Sequence, residues 1–360
     1  MFCRTLKMTV TWFAVLTLAL TATGGVTLSA GRDYVRPPEL PRSMSGLAYA
    51  GGKTYYTIAE EYGSTAKHVE SWHLYKMEID LDKDGKTVSG VRLLNHGVAL
   101  EGGCDVEAVA YDPLNGTVWA ADETKQSIGE FNPETGKCLR LASFPDFLRK
   151  TDPWFGFEGL VIAGDGLTMW AANEEALTVD DSLSSPEKGT TVRLVKFTRT
   201  DARADWSCVA MYPYTVSKWT QRYSYGKAGR RGVSELAVLP DGSLLVLERE
   251  LSSRIAGTSL LAGAGVTLVM SLVRVTPEAL AAVPNVKDIP SLKESTAWKP
   301  VAQEVLWSRN VGWSNYEGLC LGTRLADSAY SVLAVTDKGD EPLLNAKILP
   351  FVLGGLKTVK

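Results

Sequence analysis

The 360-residue sequence predicts an all-β protein, a β-propeller built from four-stranded antiparallel blades. Two observations support this fold class. A hairpin pattern recurs along the chain, and each copy is followed by further strand-like segments. Apolar residues make up 45% of the chain and charged residues 22%, so a large buried core is available.

The repeated unit is a short apolar run, a turn rich in Gly, Asp or Asn, and a second apolar run that ends on an acidic or polar residue. This pattern is typical of a β-hairpin. The five copies begin at Ser43, Asp105, Gly156, Gly232 and Asn315. Five copies predict five blades. A sixth blade, assembled from degenerate segments and the two termini, remains an alternative.

Additional strand-like runs such as WHLYKMEIDL and TVRLVKFTRT follow the hairpins, which gives each repeat about four strands. Segments 176–189 and 276–300 are interpreted as inserts, the second with a short helical stretch in TPEALAAV. The segment around Tyr34 is expected to complete the last sheet and so close the ring. A large β-sandwich is the alternative architecture, which the repeat disfavours.

Residues 1–30 have the pattern of a secretory signal peptide. Arg4 and Lys7 precede an apolar run over residues 10–20, and Ala30 ends a plausible cleavage site. The run is shorter than the roughly 20 residues of a membrane-spanning helix. We therefore expect residues 31–360 to form one domain, secreted or periplasmic, monomeric, and without stable membrane insertion after signal removal. An uncleaved membrane anchor is the alternative.

Four cysteines remain after removal of the signal: Cys104, Cys138, Cys208 and Cys320. An oxidising compartment permits disulfides, and Cys104 with Cys138 is the pair closest in sequence. Buried free thiols fit the sequence equally well, so the pairing stays open.

The charge and histidine content exclude several function classes. The formal net charge is −3, which argues against nucleic acid as a partner. The only histidines are His68, His73 and His96, too few for a multi-histidine zinc site together with separate catalytic histidines. No GxSxG string occurs, so a serine esterase is disfavoured.

Glutamates recur inside the apolar first strand of four repeats, at Glu107, Glu158, Glu235 and Glu317, whereas the first repeat has Gly46 at the matched position. A buried carboxylate is costly unless it is paired or bound to a metal. Because the first strand of each propeller blade lines the central channel, these residues are expected to form a carboxylate ring.

Oxygen ligands without histidine or cysteine favour a hard cation, Ca²⁺ first and Mg²⁺ second. Asp105 is a further candidate ligand. The alternative is that each glutamate caps backbone amides or pairs with an arginine.

A second set of acids ends the second strand of the hairpins: Glu123, Glu174 and Asp337. In a hairpin this end lies beside the start of the first strand, so both sets should meet at one face. These three residues are candidates for a catalytic base or secondary metal ligands. Arg231 and Arg249 are candidates for binding a phosphate group, because the guanidinium fits it in a bidentate manner.

The strings DVEAVAYDP, GFEGL, GVSELAVLPDGSLLVLERE and NYEGLCLG resemble the phytase-like family, which is named for esterase-like activity, over roughly residues 43–340. That family comprises exported bacterial propeller proteins. The resemblance implies recurrent Glu and Asp in a propeller and, by analogy to the alkaline β-propeller phytases, a calcium-dependent phosphoester hydrolase.

Two departures from the family pattern bear on the substrate. Gly46 stands in place of a glutamate, and no dense run of Lys and Arg occurs. Both features favour a small phosphomonoester or phosphodiester over a highly phosphorylated inositol. The competing hypothesis is a non-catalytic, calcium-stabilised binding propeller that contacts a glycan or protein through Trp219, Tyr223 and Tyr225.

Overall fold

The computed structural model describes residues 25–62, 69–103, 105–151, 155–224, 230–256, 265–338 and 346–356. Their strands form five antiparallel sheets, each with four strands in its main path. The inner strands of successive sheets contact one another in a closed cycle, from blade 1 through blade 5 and back to blade 1. The predicted all-β, five-bladed propeller is therefore confirmed.

Each blade is a meander from the channel outwards. The inner strands of blades 1 to 5 are Met44–Gly51, Val106–Asp112, Phe157–Ile162, Arg230–Val238 and Tyr316–Arg324. The second strands are Thr54–Tyr62, Thr117–Asp122, Thr168–Asn173, Leu244–Ser253 and Tyr330–Thr336. The third strands are Val69–Leu81, Ser127–Phe131, Thr190–Thr198, Val266–Val275 and Lys347–Gly354. The outer strands are Val88–Leu93, Cys138–Leu141, Ser207–Val216, Glu304–Asn310 and Thr27–Ala30.

Short strands extend three of these sheets. Val98–Ala99 pairs with the third strand of blade 1, Tyr223–Ser224 with the second strand of blade 4, and Tyr34–Val35 with the third strand of blade 5. The inner and second strands are apolar on both faces because each blade is covered by a blade on either side.

The core is divided into five apolar clusters, one between each pair of neighbouring blades. Trp119 of blade 2 and Phe157 of blade 3, for example, belong to one cluster, and both side chains are almost completely buried. This arrangement explains why the apolar residues recur in every repeat: each blade must present two apolar faces.

The two ends of the chain close the ring within blade 5. Tyr34 pairs with Ile348, as the sequence predicts, and Thr27–Ala30 pairs with residues 351–354 as the outermost strand. This strand falls inside the segment predicted as a signal peptide, and cleavage after Ala30 would remove it. Residues 1–24 lie outside the described residues. In the described part of the chain, no helix has the length and apolar character needed to cross a membrane.

A buried ion pair connects the two predicted inserts to blade 3. Arg193 on the third strand donates from Nε and Nη2 to Asp180 of the first insert, over 2.6 and 2.7 Å. The same carboxylate accepts from the backbone nitrogen of Leu292 in the second insert. That insert contains the predicted helix, Pro277–Ala281, capped by Thr276. Short 3-10 helices occur at Asp146–Arg149 and Ala326–Ser328.

Three of the four cysteines are free thiols: Cys138, Cys208 and Cys320. Cys104 lies outside the described residues, so the predicted Cys104–Cys138 pairing involves a residue whose position is not described.

Candidate functional site

A β-bulge occurs at the same position in the inner strand of every blade. The bulged residues are Ser45, Glu107, Glu158, Ser234 and Glu317 in blades 1 to 5. A bulge leaves one residue out of the ladder and redirects its side chain, and bulges are common beside functional sites. We call these five residues the bulge ring. Three blades contribute a glutamate to it and two contribute a serine.

The bulges correct the predicted alignment of the repeats in blades 1 and 4. Gly46 and Glu235 lie one residue beyond the bulge, so Ser45 and Ser234 are the true equivalents of Glu107. The corresponding residues in the other blades are Ala108, Gly159 and Gly318. Small residues suit this position because neighbouring inner strands approach closely: a Cβ at Gly46 would lie 2.8 Å from the backbone nitrogen of Val109.

Glu235, predicted as a metal ligand, makes different contacts. Its Oε1 accepts hydrogen bonds from the backbone nitrogens of Leu160 (2.8 Å) and Leu236 (2.9 Å). The side chain is completely buried, and burial raises its pKa well above the usual value. Glu235 therefore caps two amides, one in its own blade and one in blade 3, and it joins none of the carboxylate groups described below.

A second ring lies at the ends of the second strands. The backbone nitrogens of Glu123, Glu174 and Asp337 each donate to the residue that precedes the inner strand of the same blade, over 2.7 to 2.9 Å. The strand registers put Glu60 of blade 1 and Arg249 of blade 4 at the equivalent position. The second ring thus consists of Glu60, Glu123, Glu174, Arg249 and Asp337.

The two rings bring carboxylates together in three groups, each with its oxygen atoms within 4.8 Å of one another. The groups are Glu60, Asp105 and Glu107; Glu107, Glu317 and Asp337; and Glu123, Glu158 and Glu174. Glu107 belongs to two of them. Of the predicted metal-site and catalytic acids, only Glu235 is outside these groups.

The electrostatics of the groups favour a bound cation. Burial and then the neighbouring carboxylates raise the pKa of Glu107 and of Glu158 well above the usual value. Burial also raises the pKa of Glu123 to about 9 and that of Glu317 to about 8, the latter against the opposing effect of Arg249. Fully ionised, the groups repel one another, and a cation relieves that repulsion.

Arg249 lies inside this cluster. Its Nη2 is 2.5 Å from Glu174 Oε1, 3.3 Å from Glu317 Oε1 and 3.9 Å from Glu158 Oε1. Its Nε donates to Ser234 Oγ over 3.3 Å. Burial opposes the charge, but the surrounding acids, Glu317 foremost, raise the pKa of Arg249 above its usual value. The guanidinium joins carboxylates from blades 3 and 5 to blade 4.

Arg231, the other predicted phosphate-binding residue, lies away from the carboxylate groups. It donates to Glu248 Oε2 from Nη2 over 2.8 Å and to Glu250 Oε2 from Nη1 over 3.1 Å, all within blade 4. Side chains alternate along a strand, so the neighbouring Arg230 is on the opposite face of the blade. Arg230 donates from Nε to Glu174 Oε1 over 2.6 Å and lies over the ring of Phe155.

Sequence reasoning missed four residues of the rings and their contacts: Ser45, Glu60, Ser234 and Arg230. The signal that could have found Ser45 and Ser234 is the apolar residue immediately before each bulge, because it aligns the inner strands without reference to charge. Aligning Glu235 with the other glutamates displaced the alignment by one residue in blade 4, and in blade 1 Gly46 was aligned in place of Ser45.

Oxygen atoms without a hydrogen-bond partner test whether the donors fit a metal. Buried oxygens of this kind include Glu174 Oε2, Ser45 Oγ, Asn173 Oδ1 and Asn315 Oδ1, all on the first or second strands or beside them. Carboxylate, hydroxyl and amide oxygens are the ligands of hard divalent cations, and unmatched acceptors suit a cation or ordered water. The residues present fit a metal ion of this class.

The other end of the channel is apolar. A cavity of about 260 Å³ is lined by the later residues of all five inner strands, among them Leu47, Tyr111, Leu160, Leu236 and Leu321. The three carboxylate groups lie at the opposite end, where the inner strands begin.

The aromatic surface predicted for a glycan or protein is only partly described. Trp219 is half-buried and donates from Nε1 to Ser184 Oγ over 2.9 Å, whereas Tyr223 is 36% exposed. Tyr225 lies outside the described residues. This binding surface stays a prediction.

Comparison with solved structures finds matches of low identity and low TM-score. They include a periplasmic gluconolactonase from Pseudomonas aeruginosa (10% identity, TM-score 0.37, covering 91% of this chain and 99% of that chain). A glutaminyl cyclase from Myxococcus xanthus is 9% identical, with a TM-score of 0.38 and coverage of 92% and 98%. An aldose sugar dehydrogenase from Streptomyces coelicolor is 10% identical, with a TM-score of 0.40 and coverage of 92% and 99%. No curated protein matches the chain.

The family comparison is more informative. The family model described as "Phytase-like: Esterase-like activity of phytase" matches residues 42–338, most of the chain and all five inner strands. The protein belongs to this phytase-like family.

Proposed function

We propose that the protein is an exported, metal-dependent phosphoesterase that hydrolyses a small phosphomonoester or phosphodiester at the acidic end of the channel. Ca²⁺ is the expected metal and Mg²⁺ the second choice. The observation that carries the proposal is the double ring of acids with buried, unpartnered oxygens at one channel mouth. A monomer suffices, because the site lies within one chain.

The metal would be held by Glu107, Glu317, Asp337 and Asp105. When bound, it supplies charge neutralisation of the phosphate and an activated water. Glu123 is suited to hold and donate a proton, since its pKa is raised to about 9 by burial. Its Oε1 accepts from the backbone nitrogen of Gly156 over 2.8 Å, which leaves Oε2 for the proton. A leaving alkoxide could take that proton.

Arg230 is better suited than Arg231 or Arg249 to contact the substrate phosphate. Its side chain is 24% exposed, and only its Nε is committed to Glu174. The side chain of Arg249 is 4% exposed, and its contacts are to the protein's own acids. A bidentate contact needs two donors, and the contact with Glu174 uses neither Nη atom of Arg230.

The direct test is an assay with p-nitrophenyl phosphate and bis(p-nitrophenyl) phosphate, in Ca²⁺, in Mg²⁺ and after chelation. We expect hydrolysis that requires metal and that Glu107→Gln abolishes, because Glu107 is shared by two carboxylate groups. Glu187→Gln, an exposed position, is the matched control. If the folded, metal-loaded protein hydrolyses neither ester nor a wider panel of phosphoesters, the proposal is wrong.

A second candidate is the non-catalytic, calcium-stabilised binding propeller. The observation that favours it is the contact of Arg249 with acids from two other blades, since such bracing is structural in its own right. This candidate predicts that chelation lowers the melting temperature while no ester is hydrolysed under any condition.

A further inference from the structure

The rings are not equivalent around the channel, because blade 4 contributes Arg249 where the other blades contribute an acid. We propose that Arg249 is an internal counter-cation that fills the blade 3–4 side of the site, and that a divalent cation binds on the blade 5–1–2 side around Glu107. The inference rests on the proposed function only in assuming that the protein binds a metal.

The blade 3–4 side already contains positive charge. Arg249 Nη2 contacts Glu174, Glu317 and Glu158 within 3.9 Å, and Arg230 adds a second guanidinium at Glu174. A guanidinium held this close to carboxylates satisfies much of the demand for a cation. A divalent ion among Glu123, Glu158 and Glu174 would be repelled by two arginines.

On the blade 5–1–2 side, Arg249 reaches Glu317 of blade 5 over 3.3 Å, and this compensation weakens toward blade 2. Within the described parts of the chain, neither Asp105 nor Glu107 forms an ion pair with Lys or Arg. Glu107 is within 4.8 Å of acids on both sides, Glu60 and Asp105 in one group and Glu317 and Asp337 in the other. Shared carboxylates of this kind are suited to bind a hard divalent cation.

A second, independent observation is the hydroxyl of Ser45. It is the bulged residue of blade 1, which lies between blade 2 with Glu107 and blade 5 with Glu317. The residue is 1% exposed, and its Oγ has no hydrogen-bond partner. A buried, unpartnered oxygen at the position equivalent to its two acidic neighbours is suited to contact the cation directly or through water.

The location of the cation site is tested by measuring Ca²⁺ binding to two matched bulge-ring variants, by equilibrium dialysis and calorimetry. We expect Glu107→Gln to weaken Ca²⁺ affinity by at least about tenfold and Glu158→Gln by less than about threefold. Ser45→Ala should give an intermediate loss. The reverse order, with Glu158→Gln abolishing binding and Glu107→Gln leaving it intact, would overturn the inference.

The variant Arg249→Gln tests whether Arg249 acts as the internal counter-cation. Releasing Glu158, Glu174 and Glu317 from the guanidinium should let the variant bind one more equivalent of Ca²⁺ than the unsubstituted protein, whereas Arg249→Lys should not. Arg231→Gln, also a buried arginine of blade 4, is the matched control and should leave the stoichiometry unchanged. An unchanged stoichiometry in folded Arg249→Gln would refute the counter-cation role.

The two levels of proposal fail differently. If the unsubstituted protein binds neither Ca²⁺ nor Mg²⁺, the metal-dependent function is wrong. If it binds metal but not around Glu107, only the inference is wrong. Should Arg249→Gln fail to fold, the comparison of Glu107→Gln with Glu158→Gln still decides the location of the site.

Discussion

At the scale of single residues, the acids of the site combine burial with mutual repulsion. Glu123 and Glu317 have pKa values raised to about 9 and about 8, chiefly by burial. A carboxyl group must lose its proton to bind a metal, so metal binding releases protons. Protonation therefore competes with the cation across the neutral and mildly alkaline range.

We expect Ca²⁺ affinity to rise as the pH increases from about 7 to about 9, around the raised pKa of Glu317, one of the acids proposed to hold the metal. Calcium titrations in buffers across this range measure the effect. Glu317→Gln removes one of the titrating groups, so its affinity should be lower but depend less steeply on pH. An affinity that is independent of pH would contradict the raised pKa values.

Glu235 gives a separate prediction, because its contacts are to two backbone amides. Glu235→Ala leaves the nitrogens of Leu160 and Leu236 without their acceptor, which should cost about 1–3 kcal/mol in the free energy of unfolding. Calcium affinity should remain unchanged, since Glu235 joins no carboxylate group. Urea unfolding of this variant measures the loss of stability, and a calcium titration of the same variant measures its affinity. Loss of calcium binding without loss of stability would restore Glu235 as a ligand.

The residues that the sequence could and could not place differ in one physical respect. Glu107, Glu158 and Glu317 were predictable because a charged residue inside an apolar strand requires a reason. Ser45 and Ser234 were not, because an uncharged hydroxyl in a strand is unremarkable. In the sequence, Arg249 and Arg231 are both arginines near the acids of blade 4, and of the two only Arg249 forms ion pairs with acids of other blades.

At the scale of the element, the outermost strand of blade 5 decides where the chain can be cut. Thr27–Ala30 pairs with residues 351–354, and Leu28 and Ala30 pack on the apolar cluster between blades 4 and 5. The sequence pattern suggested cleavage after Ala30 because that residue is small. Strand pairing with the distant C-terminus has no local signal, so the sequence could not reveal it.

We expect a mature exported chain to begin before Thr27, because removal of the strand exposes the edge of blade 5. Mass spectrometry of the N-terminus after export gives the cleavage site. A chain that begins at Gly31 should melt at a lower temperature than one that begins at Gly25. Equal melting temperatures, or an exported chain that begins at Gly31, would show that this strand is dispensable.

The hairpins themselves were predictable because each repeat carries its own turn and two apolar runs. The bulges were not, since an extra residue in one strand changes no local propensity and shows only in the pairing with its neighbour. The bulge nevertheless determines the site, because it selects which side chain of the inner strand joins the rings.

At the scale of the whole molecule, the site joins the blades at the channel while apolar clusters join them further out. Acids from blades 1, 2, 3 and 5 and the arginine of blade 4 converge at one mouth. The number of blades was predictable from the repeats, and so was a cluster of acids at one end of the channel. The asymmetry that Arg249 introduces depends on contacts between blades, which one repeat read alone does not contain.

This convergence makes the free energy of unfolding depend on pH in opposite ways with and without metal. In chelator, the raised pKa of Glu123 and Glu317 means that the folded state binds more protons than the unfolded state. Their contribution to stability is complete below the unfolded pKa and is lost as the pH rises through the folded values of about 8 and about 9. With saturating Ca²⁺, deprotonation instead favours the bound cation, and the metal contribution grows with pH.

Urea unfolding from mildly acidic to mildly alkaline pH, in calcium and in chelator, measures both slopes. In chelator the stability contributed by these groups should fall by up to about 1.4 kcal/mol per pH unit for each proton that the folded state retains. At a Ca²⁺ concentration about 100 times the dissociation constant, binding should add about 2.7 kcal/mol. Glu107→Gln should no longer be stabilised by Ca²⁺. In chelator, its free energy of unfolding should still fall as the pH rises, because Glu123 and Glu317 still titrate. Identical curves in calcium and chelator would show that the acidic mouth does not bind the cation in the folded state.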